Sequence, residues 1–577
     1  MPPPNKNEKR KIDVINSLFI LNISIGDRYI LIDHFRFCFY YTYTFILKQY
    51  DAIKRGEKMS GSSIYTLIGI GAYLIVLIYF GIRYARRSNS SLEEYFLANR
   101  GFGPWVAAMS AEASDMSGWL LMGLPGVAYF TGYGEAFWTA LGLFIGTWIN
   151  WAVVAKRLRN YSQIADNAIT LPEFFSKRFH DKRRVLLSLA ALISLVFFSI
   201  YVGAQLITFG KLFSYTFGFN MIAMVIIGAV VVLCYTLLGG FWAVGMTDLI
   251  QGLLMVAALV VVLAASFFAA GGVNGVAANL AAFPRFTDFF GIATPKMAGG
   301  VQEVIRGVPQ FGPGADYGLL VIISTMAWGL GYFGMPHVLV RFMAIKKTSM
   351  IKPSMTIAVV WCFIAQAAAV LIGIIGRSYL PDLLATASEA ENIFILLSTR
   401  FFPPILAGIV LSGILAASMS TCDSQMLIVA SSLANDLFKD VFKKDAGDKT
   451  VMWVARAGML LVTLFAIFVA ITGNQSIFRV VSYAWAGFGA SFGPLVLFSL
   501  FWKRTTFPAA VSGMLTGGIM VVLWKNVIAK AGGVFAVYEL LPAFILSSLA
   551  IVIVSLLTQK PSAEIESEFE KAKTAYF

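Results

Sequence analysis

Runs of about twenty apolar residues recur along this chain from Ile64 to Val554. About twenty is the number an α-helix needs to cross the hydrocarbon core of a bilayer at 1.5 Å per residue. In lipid a backbone must satisfy its own hydrogen bonds, so the fold open to such a chain is a bundle of helices. Apolar windows place thirteen spans: 62–85, 103–131, 136–155, 185–212, 219–240, 246–270, 317–340, 354–377, 401–435, 451–473, 477–502, 507–528 and 538–558. Only 13% of the 577 residues are charged, about half the share of a soluble domain. The reading is an all-α polytopic membrane protein with about 13 transmembrane helices.

The formal charge of +14 does not point to nucleic acid. In a membrane protein surplus Lys and Arg gather in short cytoplasmic loops. The stretches 83–90, 156–160, 176–184, 341–347, 437–449 and 502–504 are basic and fall on alternate loops. That side is expected to be cytoplasmic, with the N-terminus outside, the C-terminus inside and the lipid bilayer as the surrounding partner. The four cysteines and three histidines are scattered without metal-ligand spacing.

Residues 1–58 differ in kind, being basic and aromatic with no spanning run. They fit an amphipathic surface segment. The alternative preferred here is that Met59 is the start and 1–58 is an upstream or disordered extension. "RGEKM" (55–59) can be written in purine codons that resemble a ribosome-binding site ahead of a start codon.

Three stretches break the apolar rule. "SAEASDMSGWLLMGLPG" (110–126) places Asp115 in mid-span among small polar residues and glycines. A charge at the bilayer centre costs about 2.5–3.5 kcal/mol on insertion scales, so it marks a cavity, a partner or an ion. A helix-packing seam would explain the Ser and Gly residues but not Asp115. "WGLGYFGMPH" (328–337) loosens another span with three glycines and Pro336, beside Trp328 and Tyr332. Either a kinked packing helix or a break lined by aromatic rings would use it. "ILAASMSTCDSQ" (414–425) puts Ser420, Thr421, Asp423 and Ser424 on neighbouring parts of one helix surface. With Asp248 in "GMTDLIQG", these hard oxygens point to a small cation. Apart from the first span, the two loosened helices are first and sixth of the next ten. Such positions point to an inverted-repeat transporter with halves at about 103–270 and 317–502.

These stretches, with "ITLPEFFSKRF" (169–179) and "YTLLGGFWAVGMTDLIQ" (235–251), resemble the sodium/solute symporter family, and within it the sodium/proline branch. The likeness covers about 62–558 in one register. It implies the leucine-transporter fold, a 5+5 inverted repeat with one extra N-terminal helix. By that likeness 59–102 hold the first helix and a cytoplasmic loop, 103–502 the transporter core, 503–558 two further helices and 559–577 a cytoplasmic tail.

The resemblance also implies roles. Ala113, Met116, Ala417, Ser420 and Thr421 look like the family's sodium site, and Asp115 matches an acidic residue needed for sodium dependence. Asp248, Ser420, Asp423 and Ser424 resemble a second sodium site found in some members. Ser117, Trp119, Tyr201, Trp328, Tyr332 and Pro336 match positions tied to proline. Met335 stands where that branch is expected to carry Gln, which leaves the substrate open. The expected function is sodium-coupled uptake of L-proline across a bacterial plasma membrane. The alternative is a sodium- or proton-coupled symporter for another small amino acid or a carboxylate. Na+ is the expected coupling ion, with no organic cofactor. A channel would need a ring of ligands, and no nucleophile elbow or phosphate loop speaks for an enzyme. Glu112 lies outside the motif and receives no role.

Overall fold

The computed structural model describes residues 61–577 apart from 89, 90, 444, 474 and 475. The proposed start at Met59 and the extension 1–58 lie outside the described residues. Each of the thirteen spans has a helical counterpart, but the count by length and apolarity is lower. Ten helices are long and apolar enough to cross a bilayer, among them Tyr133–Ile164, Val185–Phe217, Gly239–Ala269 and Pro404–Lys439. The pair Leu319–Gly334 and Pro336–Met343, bent by 46°, makes an eleventh if taken as one span.

The other two spans are short for a physical reason. The span at 103–131 is divided into Pro104–Asp115 and a second piece from Trp119 to Thr131. The span at 219–240 is the helix Met221–Leu237, which ends at a kink where Gly240 has φ 56° and ψ 178°. Only glycine takes that conformation without strain.

The outward faces carry large apolar side chains, including Ile75, Leu319, Phe468 and Ile553, all at least half exposed. Solvated protein surfaces avoid so much contiguous apolar area, whereas lipid favours it. The interior is the opposite. Pro404–Ser431 is buried along nearly its whole length from Ala407 onward, including Ser412, Ser420, Thr421 and Asp423. The helix thus runs through the middle of the bundle, where polar side chains find partners rather than lipid.

The long connection 271–316 is not purely irregular. It contains three antiparallel pairs of two-residue strands: Gly291–Ile292 with Ala315–Asp316, Met297–Ala298 with Val301–Gln302, and Val304–Ile305 with Val308–Pro309. Arg377 anchors it, donating to Gln302 Oε1 at 2.6 Å and lying over the rings of Tyr129 and Phe311. The tail is a helix too, Ala563–Thr574, whose Phe569 packs on Tyr161.

Three of the basic stretches behind the expected orientation each contain a buried arginine, and the fold corrects their count as loop charges. Arg341 is fully buried inside Pro336–Met343, and Arg159 and Arg178 are buried as well. These guanidiniums are structural, so the loop asymmetry rests on the remaining Lys and Arg.

Candidate transport site

Pro104 starts the first helix at a position where its missing N–H costs nothing. The helix ends at Asp115 because Met116 leaves helical geometry, with ψ at 51°. The chain then turns sharply: Ser117 N donates to the Asp115 carbonyl two residues back at 2.8 Å. It resumes as a π-turn over Trp119–Gly123. The amides at this restart are already engaged. Gly118 N donates to Gln205 Oε1 at 2.9 Å, and Trp119 N donates to Ser117 Oγ at 3.2 Å. A substrate carboxylate would meet these amides only after displacing those side chains. The indole Nε1 of Trp119 and the amide nitrogen of Gln205 are buried donors with no partner among the described residues.

The second break is a stretch of tight 3-10 helix, Ala327–Gly334, followed by Met335 in extended geometry and Pro336 at the head of the next half-helix. Its carbonyls are held from outside: Trp485 Nε1 donates to the Trp328 carbonyl at 2.8 Å, and Asn150 Nδ2 to the Tyr332 carbonyl at 3.2 Å. The two breaks meet directly, since the Tyr332 hydroxyl donates to Asp115 Oδ2 at 2.6 Å. Tyr201 joins them, its hydroxyl donating to the Asp115 carbonyl at 3.3 Å. Above the crossing, Trp119 and Trp328 lie 5.3 Å apart, centroid to centroid, and each packs on Phe478 at 5.7 and 5.4 Å. Ser117, Trp119, Tyr201, Trp328, Tyr332 and Pro336 are all buried, and the contacts above link them to the two breaks, Pro336 by its place at the head of the half-helix. Met335 is fully buried as well.

The Pro404–Ser431 helix faces the first break. The Ser420 hydroxyl is 2.7 Å from the Ala113 carbonyl, 2.8 Å from the Ala416 carbonyl and 3.2 Å from the Ala417 carbonyl. One side chain thus gathers three oxygens from two helices. Beside it, Thr421 Oγ1 is buried with no partner among the described residues. A Thr hydroxyl in a helix ordinarily bonds back to its own backbone, so an unspent oxygen here is an unusual cost. Oxygens collected in this way suit a hard cation such as sodium. The Ser420 hydroxyl brings Ala113 and Ala417 together, with Thr421 next to it in the chain; for the Met116 side chain the described contact is through its sulfur, 3.8 Å from Gln366 Nε2.

Asp248, Asp423 and Ser424 form a separate cluster. Ser424 Oγ donates to Asp423 Oδ1 at 3.3 Å, and the Arg341 guanidinium reaches Asp248 Oδ2 at 3.2 Å and Ser424 Oγ at 2.5 Å. Ser420 belongs with the first group of oxygens and bonds to none of these three.

The family model for the sodium:solute symporter family matches residues 95–517. The chain belongs to that family. Among its relatives, the symporter is 42% identical over 486 residues to the high-affinity proline transporter of Bacillus subtilis (strain 168), covering 84% of this chain and 97% of the relative. It is 40% identical over 514 residues to the sodium/proline symporter of Escherichia coli (strain K12), covering 88% and 96%. The solved structure of a substrate-bound, outward-open Na+-coupled sialic acid symporter matches with a TM-score of 0.68 at 18% identity, over 86% of this chain and 99% of that one. The symporter has the leucine-transporter fold, and it is a multi-pass membrane protein rather than an enzyme.

Sequence reasoning missed several residues that shape this centre of the symporter. Gln205, which holds the first break open, is a polar residue in the 33-residue helix Val185–Phe217. Phe478 and Trp485 complete the aromatic wall from the helix Ile477–Phe501. Glu112 is buried one turn from Asp115, accepting from Trp151 Nε1 at 3.3 Å, with its other oxygen unpartnered among the described residues.

Proposed function

We propose that this symporter takes up L-proline together with sodium across a bacterial plasma membrane by alternating access. The N-terminus then lies outside and the C-terminus in the cytoplasm. The named proline transporters among its relatives support the substrate. The observation that carries the coupling is the Ser420 hydroxyl lying 2.7 Å from the Ala113 carbonyl, with the unspent Thr421 hydroxyl beside it.

Sodium would be held by the carbonyls of Ala113, Met116 and Ala417 and the hydroxyls of Ser420 and Thr421. Bound there, it ties the first broken helix to the Pro404–Ser431 helix and orders the turn that carries Asp115. Substrate affinity rises with that order, and by linkage substrate raises sodium affinity equally. Proline would sit between the two breaks. Its carboxylate would be met by the Trp119 and Gln205 donors and the Ser117 turn, and its ring by Trp328, Tyr332 and Tyr201, with Pro336 closing the second break. Among the described residues, the side chains that hydrogen-bond to Asp115 are those of Tyr332 and Tyr201, neither of them cationic. Its negative field therefore remains available to an ion. The halves 103–270 and 317–502 would rock against each other about this centre. A membrane potential of about 100 mV adds about 2.3 kcal/mol per inward charge.

The buried thioether of Met335, beside the second break, supports a second reading in which another small amino acid or a carboxylate is the substrate. Uptake of labelled proline into proteoliposomes under imposed sodium or proton gradients, with a panel of competitors, tests both. Proline that neither enters nor competes would rule out the first reading. Uptake that follows a proton gradient alone would rule out sodium.

A further inference from the structure

The last two long helices, Phe507–Asn526 and Leu540–Leu557, take no part in the site described above. The segment that joins them nevertheless reaches it. Tyr538, just ahead of the second of these helices, lays its ring against the indole of Trp328, with centroids 5.3 Å and planes 26° apart. The other rings around Trp328, those of Trp119, Phe478 and Trp485, meet it at 39°, 51° and 35°. Among the described residues, Tyr538 is thus the ring that lies flattest on Trp328.

That ring is fixed from both ends. The Tyr538 amide donates to Ser324 Oγ at 2.7 Å, on the helix that leads into the second break. The Tyr538 hydroxyl donates to the Ser482 carbonyl at 2.7 Å, on the helix Ile477–Phe501. The segment around it is tied down as well. Trp524 Nε1 donates to the Phe535 carbonyl at 3.0 Å, and Lys525 pairs with the buried Glu539 at 3.3 Å. Behind it Leu540 and Phe544 seat against Gly489 and Gly493, where an added Cβ would come within 2.8 and 2.7 Å of them. We infer that Tyr538 is a positioning residue for substrate selection: it backs the Trp328 indole, so that a residue outside both broken helices helps set the size of the ring accepted between them. Trp328 sits in a 3-10 stretch, where hydrogen-bond geometry is poorer than in an α-helix, so its indole needs support from its neighbours. A wall selects by size only when it cannot give way. In a well-formed apolar pocket one methylene changes specificity by about 10- to 200-fold.

The inference rests on the proline reading, and the test separates the two. Initial uptake of labelled proline is measured with the full chain in proteoliposomes under a sodium gradient. The competitor is piperidine-2-carboxylate, the imino acid whose ring is one methylene larger. Tyr538→Leu keeps apolar bulk and removes the flat ring. It is expected to raise KM for proline about 2- to 10-fold, the size of one aromatic stacking contact. The larger imino acid should gain on proline by a similar factor, while kcat and the half-saturating sodium concentration at saturating proline stay in place. Tyr538→Phe keeps the ring and is expected to match the unaltered protein in KM and in competitor ratio. The inference is overturned if Tyr538→Leu lowers kcat alone, with KM and competitor ratio unchanged, because that is the mark of a packing role. It is also overturned if Tyr538→Phe behaves like Tyr538→Leu, because the bond to Ser482 and not the ring would then matter. Should Tyr538→Leu not fold, Ser324→Ala removes the acceptor of the Tyr538 amide and is expected to move KM and ratio in the same direction; no movement overturns the inference. An unaltered protein that takes up no proline would instead defeat the underlying reading.

Discussion

The Thr421→Val substitution separates an ion ligand from a structural hydroxyl. Valine keeps the shape of threonine and removes only the oxygen. That oxygen is buried and makes no hydrogen bond among the described residues. An unsatisfied buried polar group costs about 1–3 kcal/mol, so the sodium-free protein should be as stable as the parent or slightly more so. With sodium present the balance reverses. A hydrogen-bond-strength contact to a charged group is worth about 1.5–3 kcal/mol, and losing one from the ion should raise the half-saturating sodium concentration about 10- to 150-fold. Sodium at one hundred times its dissociation constant stabilises the folded state by about 2.7 kcal/mol. The variant should lose most of that increment at the same concentration. The assay is thermal unfolding of the purified protein in sodium against potassium, with sodium-dependent proline uptake alongside. A sodium response equal to the parent's, in both measurements, would refute the assignment of Thr421. A large loss of stability in potassium would show that the hydroxyl has a structural partner instead.

Further substitutions address other parts of the centre. Asp115→Asn removes the carboxylate acceptor of the Tyr332 hydroxyl at 2.6 Å and the charge it can offer an ion. Uptake should fall and the half-saturating sodium concentration should rise by about tenfold or more, at about 1.4 kcal/mol per decade; an unchanged sodium titration would count against it. Gln205→Leu leaves the Gly118 N–H without its acceptor at a cost of about 1–3 kcal/mol, and should raise KM for proline more than it alters sodium dependence. Gly331→Ala would place a Cβ 1.9 Å from Trp485 Nε1, displacing the indole that holds the Trp328 carbonyl. Overpacking of that kind costs about 1–3 kcal/mol, so thermal stability and uptake should both drop. Met335→Gln adds an amide beside the second break, and should change the ranking of competitors in a substrate panel while leaving the sodium titration in place.

The breaks were legible because they violate a strong rule. Asp115 and the Gly–Pro run at 329–336 have no place in a lipid-facing helix, and the structure divides both helices there. The helix count was less legible. Gly240 ends one helix with a positive φ, where the apolar windows also end a span, but the helix before it, Met221–Leu237, is shorter than its window. Gln205 was invisible for its own reason: one amide does not alter the average of a long apolar helix, and its value lies in an acceptor aimed at Gly118 on another helix. Arg341 was misread rather than missed. Basic residues near span ends are normally counted as cytoplasmic, and only three-dimensional contact reveals that this one points inward at Asp248.

Arg341 also bears on where sodium can bind. Both regions contain buried carboxylates, but of these, among the described residues, only Asp248 is paired with a guanidinium. A sodium ion on the free oxygen of Asp248 would share that carboxylate with the guanidinium, whose like charge opposes it, while the unpartnered oxygen of Asp423 attracts it. No basic side chain bonds to Asp115, to the Ser420 hydroxyl or to the Ala113 carbonyl among the described residues. An ion there meets neutral dipoles and an uncompensated carboxylate nearby, and that carboxylate sits on the very turn that must rearrange for transport. On the proposed reading, sodium bound beside Asp115 would act on the broken helix itself.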